Sequence, residues 1–158
     1  MTVQRDRPSG LMKLGFKVPV WMYQAHLGRV FGGRIFMLVH HGRKSGKRYV
    51  SGLEVLVRRE GELFVFSAWG RKADWLRNIE AGGVDELWDG STRYGGATFR
   101  VVEPDEAFEV LTDYEREHPK TARQTLPRTI DGYDFSDTMR RQLAEAGTLV
   151  AFRPGGDQ

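Results

Sequence analysis

The chain has 158 residues, 40% of them hydrophobic, with 24 Lys and Arg against 21 Asp and Glu for a formal charge of +3. That length suffices for one ordinary domain with its own core. The absence of cysteine excludes disulfides, thiolate metal sites and cysteine nucleophiles and fits a reducing cytoplasm, and no apolar run is long enough to span a bilayer or build a signal peptide.

The small net charge hides an asymmetry. Residues 1–50 carry ten Lys and Arg against the single acid Asp6, whereas residues 51–158 carry fourteen against twenty acids. Such polarity favours an anionic partner on one face: a phosphorylated cofactor, nucleic acid or a membrane surface.

Residues 1–10 read as a flexible N-terminus, 11–154 as the folded domain and 155–158 as a disordered tail. Pro19 suits the first turn of a helix, in which Val20, Tyr23, Leu27, Val30 and Phe31 recur at helical spacing until Gly32-Gly33. That helix either packs across one mouth of the domain or touches a membrane, because Lys13, Lys17, Arg29 and Arg34 flank Phe16, Trp21 and Met22. Two apolar runs follow, Ile35–Val39 and Tyr49–Val57, around Gly42-Arg43-Lys44-Ser45-Gly46-Lys47-Arg48. They read as adjacent antiparallel strands joined by a glycine-bearing turn. Such a turn is either a solvated basic hairpin or a concavity of N–H groups that binds an anion.

Arg58–Glu62 reads as a polar hairpin connection with solvated charges. Leu63–Phe66 then runs into Ser67-Ala68-Trp69-Gly70-Arg71-Lys72, a loop that opens a helix near 73–81. A helix start supplies free N–H groups and the positive end of the dipole, again suited to an anion. Trp75, Leu76 and Ile79 give this helix a core face, and Asn78 is either exposed or turned toward a ligand. Val84–Trp88 and Arg93–Val102 read as a strand pair, with a bulge or sharp bend at Gly95-Gly96. Helices are expected from Pro104 to about Glu117, after Pro119, and over 136–146. Leu149–Phe152 is the last strand.

Metal chemistry has little support: His40 and His41 are adjacent and point to opposite faces of a strand, and His26 and His118 lack ligand-spaced companions. There is no G-x-S-x-G elbow, Walker A motif or G-x-G-x-x-G fingerprint. Nucleic-acid binding is the competitor at a sequence pI near 9.3, but the cations cluster in two short turns and the later two-thirds is acidic. No nucleic-acid partner is therefore expected.

The block Ile35–Asn78, with its G-R-K-S-G turn, Ser67-Ala68-Trp69-Gly70, Ala73-Asp74-Trp75 and Asn78, resembles the deazaflavin-dependent nitroreductase family. Asp113–Pro119 and Leu149–Pro154 extend the likeness over roughly residues 10–154. Arg48 stands where the commoner family turn has proline, and Leu76 where many relatives have tyrosine. The resemblance implies an α+β fold, a single-domain antiparallel split β-barrel of the FMN-binding type with flanking helices. It also implies a hydride-transferring oxidoreductase that uses coenzyme F420, with FMN or no cofactor as alternatives. Arg43, Lys44, Ser45, Gly46, Lys47 and Arg48 would hold phosphate, with Ser67, Trp69, Gly70, Arg71, Lys72, Trp75 and Asn78 around the cofactor. Tyr114 or Tyr133 would deliver a proton to a hydrophobic acceptor such as a quinone or nitro compound. The expected location is cytoplasmic, with peripheral contact at the inner face of the cell membrane. A non-catalytic module holding F420, flavin or fatty acid is the alternative.

Overall fold

A computed structural model describes residues 33–156. The expectations for the N-terminus, the Pro19–Phe31 helix and its membrane contact lie outside the described residues, as do Asp157 and Gln158. Eight strands and four helices follow in the order β1 (Ile35–His41), β2 (Arg48–Glu54), β3 (Val57–Arg59), β4 (Glu62–Phe66), α1 (Asp74–Gly82), β5 (Glu86–Asp89), β6 (Thr92–Gly95), β7 (Thr98–Val101), α2 (Pro104–Glu117), α3 (Pro119–Thr129), α4 (Asp137–Ala146) and β8 (Leu149–Arg153).

The strands form two antiparallel sheets, ordered β2-β1-β5-β6 and β3-β4-β8-β7. The uninterrupted apolar runs take the inner places, because β1 and β8 are covered on both faces. Alternate residues fill the space between the sheets: Phe36 and Leu38, Leu63 and Val65, Leu87, and Val150 and Phe152. The opposite faces of β4 and β8, with Phe64, Leu149 and Ala151, pack on α2, α3 and α4 through Val110, Leu111, Tyr114, Leu126 and Leu143. Ala73, Leu76 and Ile79 drop into the inter-sheet core. Helix α1 therefore caps that core.

Two corners tie the sheets together. The apolar run that reads as one strand through Val57 switches sheets after Glu54: Val55 N–H donates to Arg34 O at 2.7 Å, and Leu56 N–H to Phe64 O at 2.7 Å. At the other edge, the Gly95-Gly96 bend separates β6 from β7, with Gly96 at φ 64°. The expected bend is thus a sheet change. Gly155 lies so close to Gly95 that a Cβ would have no room, and Gly95 N–H donates to Gly156 O at 3.3 Å. That part of the tail is held against the bend.

Three charges of the β3–β4 hairpin, Arg58, Arg59 and Glu62, are paired, contrary to the solvated reading, while Glu60 stays exposed as that reading expects. Arg58 meets Asp89 at 2.7 Å across the two sheets, Arg59 lies 3.5 Å from Glu109 and Asp113, and Glu62 meets Arg100 at 2.8 Å. These contacts tie the corner and sheet edge to neighbouring strands and to α2. Among the described residues, no helix is long and apolar enough to cross a membrane.

Phe152 is fully buried, with Phe36 edge-on at 5.3 Å and Trp75 at 6.1 Å. Phe152→Ala should destabilise the fold by about 3–5 kcal/mol, read from the urea midpoint at unchanged m-value.

Candidate functional site

The turn between β1 and β2 is closed by Gly42 N–H to Lys47 O and Gly46 N–H to Gly42 O, both 2.8 Å. Gly46 is left-handed at φ 65°, and a Cβ on Gly42 would sit 2.6 Å from Ser45 Oγ. Gly46 is therefore demanded by its backbone, and Gly42 by the Ser45 and Tyr49 side chains packed against it. Lys47 N–H donates to Ser45 Oγ at 3.2 Å. Of the turn's amides, those of Lys44 and Ser45 have no protein acceptor among the described residues. Lys44, Ser45 and Lys47 are exposed, and neither lysine has a carboxylate within ion-pair reach there. Arg48 is also exposed but meets Glu86 at 3.8 Å and lies 5.6 Å from the centre of the Trp88 ring.

Arg43 points the other way. Its backbone N–H and Nη1 both donate to Asn78 Oδ1, at 3.1 and 2.9 Å, and Nη2 reaches Asp74 Oδ1 at 3.2 Å. Asp74 and Asn78 are one helical turn apart on α1 and share a face, so Arg43 docks the hairpin onto the helix. Asn78 is not the exposed residue of one sequence reading but is buried, at 6% exposure. Its Nδ2 faces His40 Nδ1 at 3.2 Å, and His40 Nε2 faces Ser51 Oγ at 3.0 Å. His40 shares the inward face of β1 with Phe36 and Leu38, and its ring stacks on Tyr49 at 5.9 Å. Burial pushes the His40 imidazole down, with the nearby Asp85 carboxylate working against it. The two loops recognised separately in the sequence thus belong to one assembly.

The second loop is held from inside. Ser67 is buried at 1% exposure, donates its hydroxyl to Gly70 O at 2.7 Å, and donates its N–H to Thr148 O at 2.8 Å. Its oxygen shapes the loop. Gly70 opens a short 3-10 turn, Gly70–Lys72, at φ 56°. Arg71 meets Glu80 at 3.1 Å, while Lys72 is exposed. Helix α1 then begins without a side-chain cap. Trp69 and Trp75 are half-buried against the inter-sheet core.

The two tyrosines belong to the helical layer. Tyr114 is fully buried, its phenol 3.0 Å from Thr125 Oγ1, and burial raises its pKa. Tyr133 donates to Glu115, and burial together with that carboxylate raises its pKa as well. A cavity of about 220 Å³ is lined by Leu56, Phe66, Ala68, Tyr114 and Leu126, with Glu54 and Arg128 among its polar residues. Tyr114 lines it and Tyr133 does not. Among the described residues, no cluster of His, Asp or Glu could hold a metal.

Sequence reasoning missed Asp74, Ser51 and Tyr49 as parts of this assembly. The four-residue spacing of Asp74 and Asn78 was the available signal for the first. Nothing local marks Ser51 or Tyr49, whose roles come from the β1–β2 register, which sets His40 opposite Tyr49.

Asn78→Ala leaves two Arg43 donors and His40 Nδ1 without their partner. The expected cost is about 1–3 kcal/mol in urea unfolding, with faster amide exchange in the turn than in β8. Equal stability and unchanged exchange would mean that the docking is incidental.

No family model matches the sequence, and no curated protein is significantly similar to it. Solved structures do match. An F420-H2 dependent reductase aligns over 76% of this chain and 94% of its own, at 17% identity and a TM-score of 0.51. A protein of unknown function from Agrobacterium tumefaciens aligns over 80% of this chain and 50% of its own, at 18% identity and a TM-score of 0.51. This chain therefore spans about half the length of the second protein. At these identities the likeness is one of fold: the chain is a mixed α+β protein of two antiparallel sheets that shares its fold with an F420-H2 dependent reductase.

Proposed function

We propose that the chain is an oxidoreductase of the split-β-barrel type that binds reduced coenzyme F420 and serves hydride transfer to a small apolar acceptor. The observation that carries this reading is the Gly42–Arg48 turn, locked onto α1 through Arg43 while Lys44 and Lys47 stay exposed without carboxylate partners among the described residues. The fold shared with an F420-H2 dependent reductase supports the choice of cofactor.

The donor set fits a phosphate and an acidic tail. Two ammonium groups and the free amides of Lys44 and Ser45 provide charge and directional donors at one turn. Lys72 adds a second cationic point just before α1, whose first turn has no side-chain cap and carries Asp74, itself paired with Arg43. Arg43 acts as the strut that holds the turn, and its guanidinium serves the phosphate through that geometry. Ser67 and Gly70 set the path of the adjoining loop. Trp69 and Trp75 present half-buried indoles between that loop and the core, suited to an aromatic ring.

When bound, the cofactor supplies the hydride, and the protein supplies orientation and a dry pocket. The cavity beside Phe66 and Ala68 is smaller than the roughly 300–1,000 Å³ of pockets that enclose whole drug-sized ligands. It suits a compact acceptor such as a quinone or nitroarene. Of the two tyrosines Tyr114 lines the cavity, beside Thr125 and Thr129, and it is favoured over Tyr133 for holding a proton near the acceptor. Its raised pKa keeps it protonated through the neutral range.

Oxidised F420 should bind with marked salt sensitivity, followed by its absorbance. Lys44→Ala with Lys47→Ala should weaken binding on the order of tenfold or more, since each charge-assisted contact contributes ~1.5–3 kcal/mol. The protein should also accelerate oxidation of reduced F420 by menadione. Binding without acceleration across quinones and nitroarenes would favour a non-catalytic module. Binding of FMN or a fatty acid in place of F420 would overturn the cofactor assignment.

A further inference from the structure

Arg43, Asn78 and His40 fix one another's protons. The backbone N–H and guanidinium of Arg43 can only donate. Both meet the same end of the Asn78 amide, at 3.1 and 2.9 Å, so that end is the carbonyl oxygen. The other end, an NH2 that can only donate, faces His40 Nδ1 at 3.2 Å. Nδ1 must therefore offer a lone pair. The single N–H of the neutral ring then sits on Nε2, where Ser51 Oγ lies at 3.0 Å to accept it. An imidazolium would set N–H against NH2. Turning the amide over would relieve that clash only by presenting NH2 to both Arg43 donors.

We propose that His40 is a positioning residue for the anion-holding turn: its neutral Nε2–H tautomer keeps Asn78 in the one amide orientation that accepts both Arg43 donors. The claim rests on the proposed function only for what the turn binds; the positioning itself concerns the ligand-free protein.

Among the described residues, the groups around His40 are few. His41 follows it on β1 and turns outward to Asp85, the residue before β5. From β2 come Tyr49 and Ser51, and from α1 Asn78, with Asp74 reached through Arg43. His40 itself is 2% exposed. Burial lowers its pKa and the His41 side chain adds to that, while the Asp85 carboxylate and a hydrogen bond with the His41 backbone oppose it. A folded-state pKa below the free value means that the stabilisation is complete above the ordinary imidazole pKa of about 6.5 and is lost as pH falls toward the folded value. Opening of the turn should then grow by up to about tenfold per pH unit between the two pKa values.

The test is amide exchange of the full-length chain between about pH 7.5 and 5.5, above the ordinary carboxylate range. The protection factor of the Arg43 amide should fall several-fold toward the lower pH in the native protein and in His41→Gln. His40→Asn can place an oxygen where Nδ1 was and does not titrate, so its protection should stay flat. His40→Leu should be poorly protected throughout, and nitrogen-15 shifts should assign the His40 proton to Nε2. A His40→Asn profile that falls like the native one, loss of the fall in His41→Gln, native protection in His40→Leu, or a proton on Nδ1 would each overturn the proposal. Oxidised F420 added at pH 7.5 separates the two claims. The expected exchange profile with no F420 binding leaves the positioning role standing and removes the cofactor reading, whereas F420 binding with matching native and His40→Asn profiles does the reverse.

Discussion

The carbonyl oxygen of Asn78 is where the two halves of the candidate site meet. It takes two donors from Arg43, one from the backbone and one from the side chain. The first fixes where the turn begins, and the second fixes a long side chain that would otherwise be mobile. Because Asn78 is buried, leaving those donors without it would cost more than the hydrogen bonds themselves contribute on average. The same amide is held from behind by His40. A contact between one turn and one helix therefore reaches back into the sheet core.

That contact depends on helix α1 being a rigid part. Leu76 and Ile79 are almost fully buried between the two sheets, so the helix has little freedom to slide. Asn78 sits next to Ile79 in sequence and faces the end of β1. The packing that fixes the apolar residue also fixes the polar one. On the other side, β4 and β8 are pressed against the helical layer, and Ser67 and Thr148 tie the loop that precedes α1 to the start of β8. The exposed lysines stand on this scaffold while contributing little to it. A surface that is expendable for folding is free to be charged for binding.

Much of this was legible in the sequence. The continuous apolar runs Ile35–Val39 and Leu149–Phe152 read as strands, and they take inner places in the two sheets with both faces covered. Pro104, Pro119 and the glycine-bearing turns marked boundaries that the structure keeps. The sheet change at Val55–Leu56 was not legible, because an apolar run looks the same whether it continues or turns a corner. The pairing of Arg43 was also hidden. Its place in a cationic turn suggested a phosphate ligand, whereas its partners lie 31 and 35 residues away on α1. Arg58, Arg59 and Glu62 looked solvated for the same reason, since Asp89, Arg100, Glu109 and Asp113 are distant in sequence. Local pattern reports propensity and periodicity; long-range polar partners emerge only from packing.

On the proposed function, the turn docked on α1 is a seat for the anionic part of F420. Titrating the nitrogen-15-labelled protein with oxidised F420 tests it most directly. The largest amide shifts should fall on Lys44–Lys47 and on the first turn of α1, and should shrink in high salt as binding weakens. Saturable binding with shifts confined to the helical layer, or no shifts at all, would contradict it.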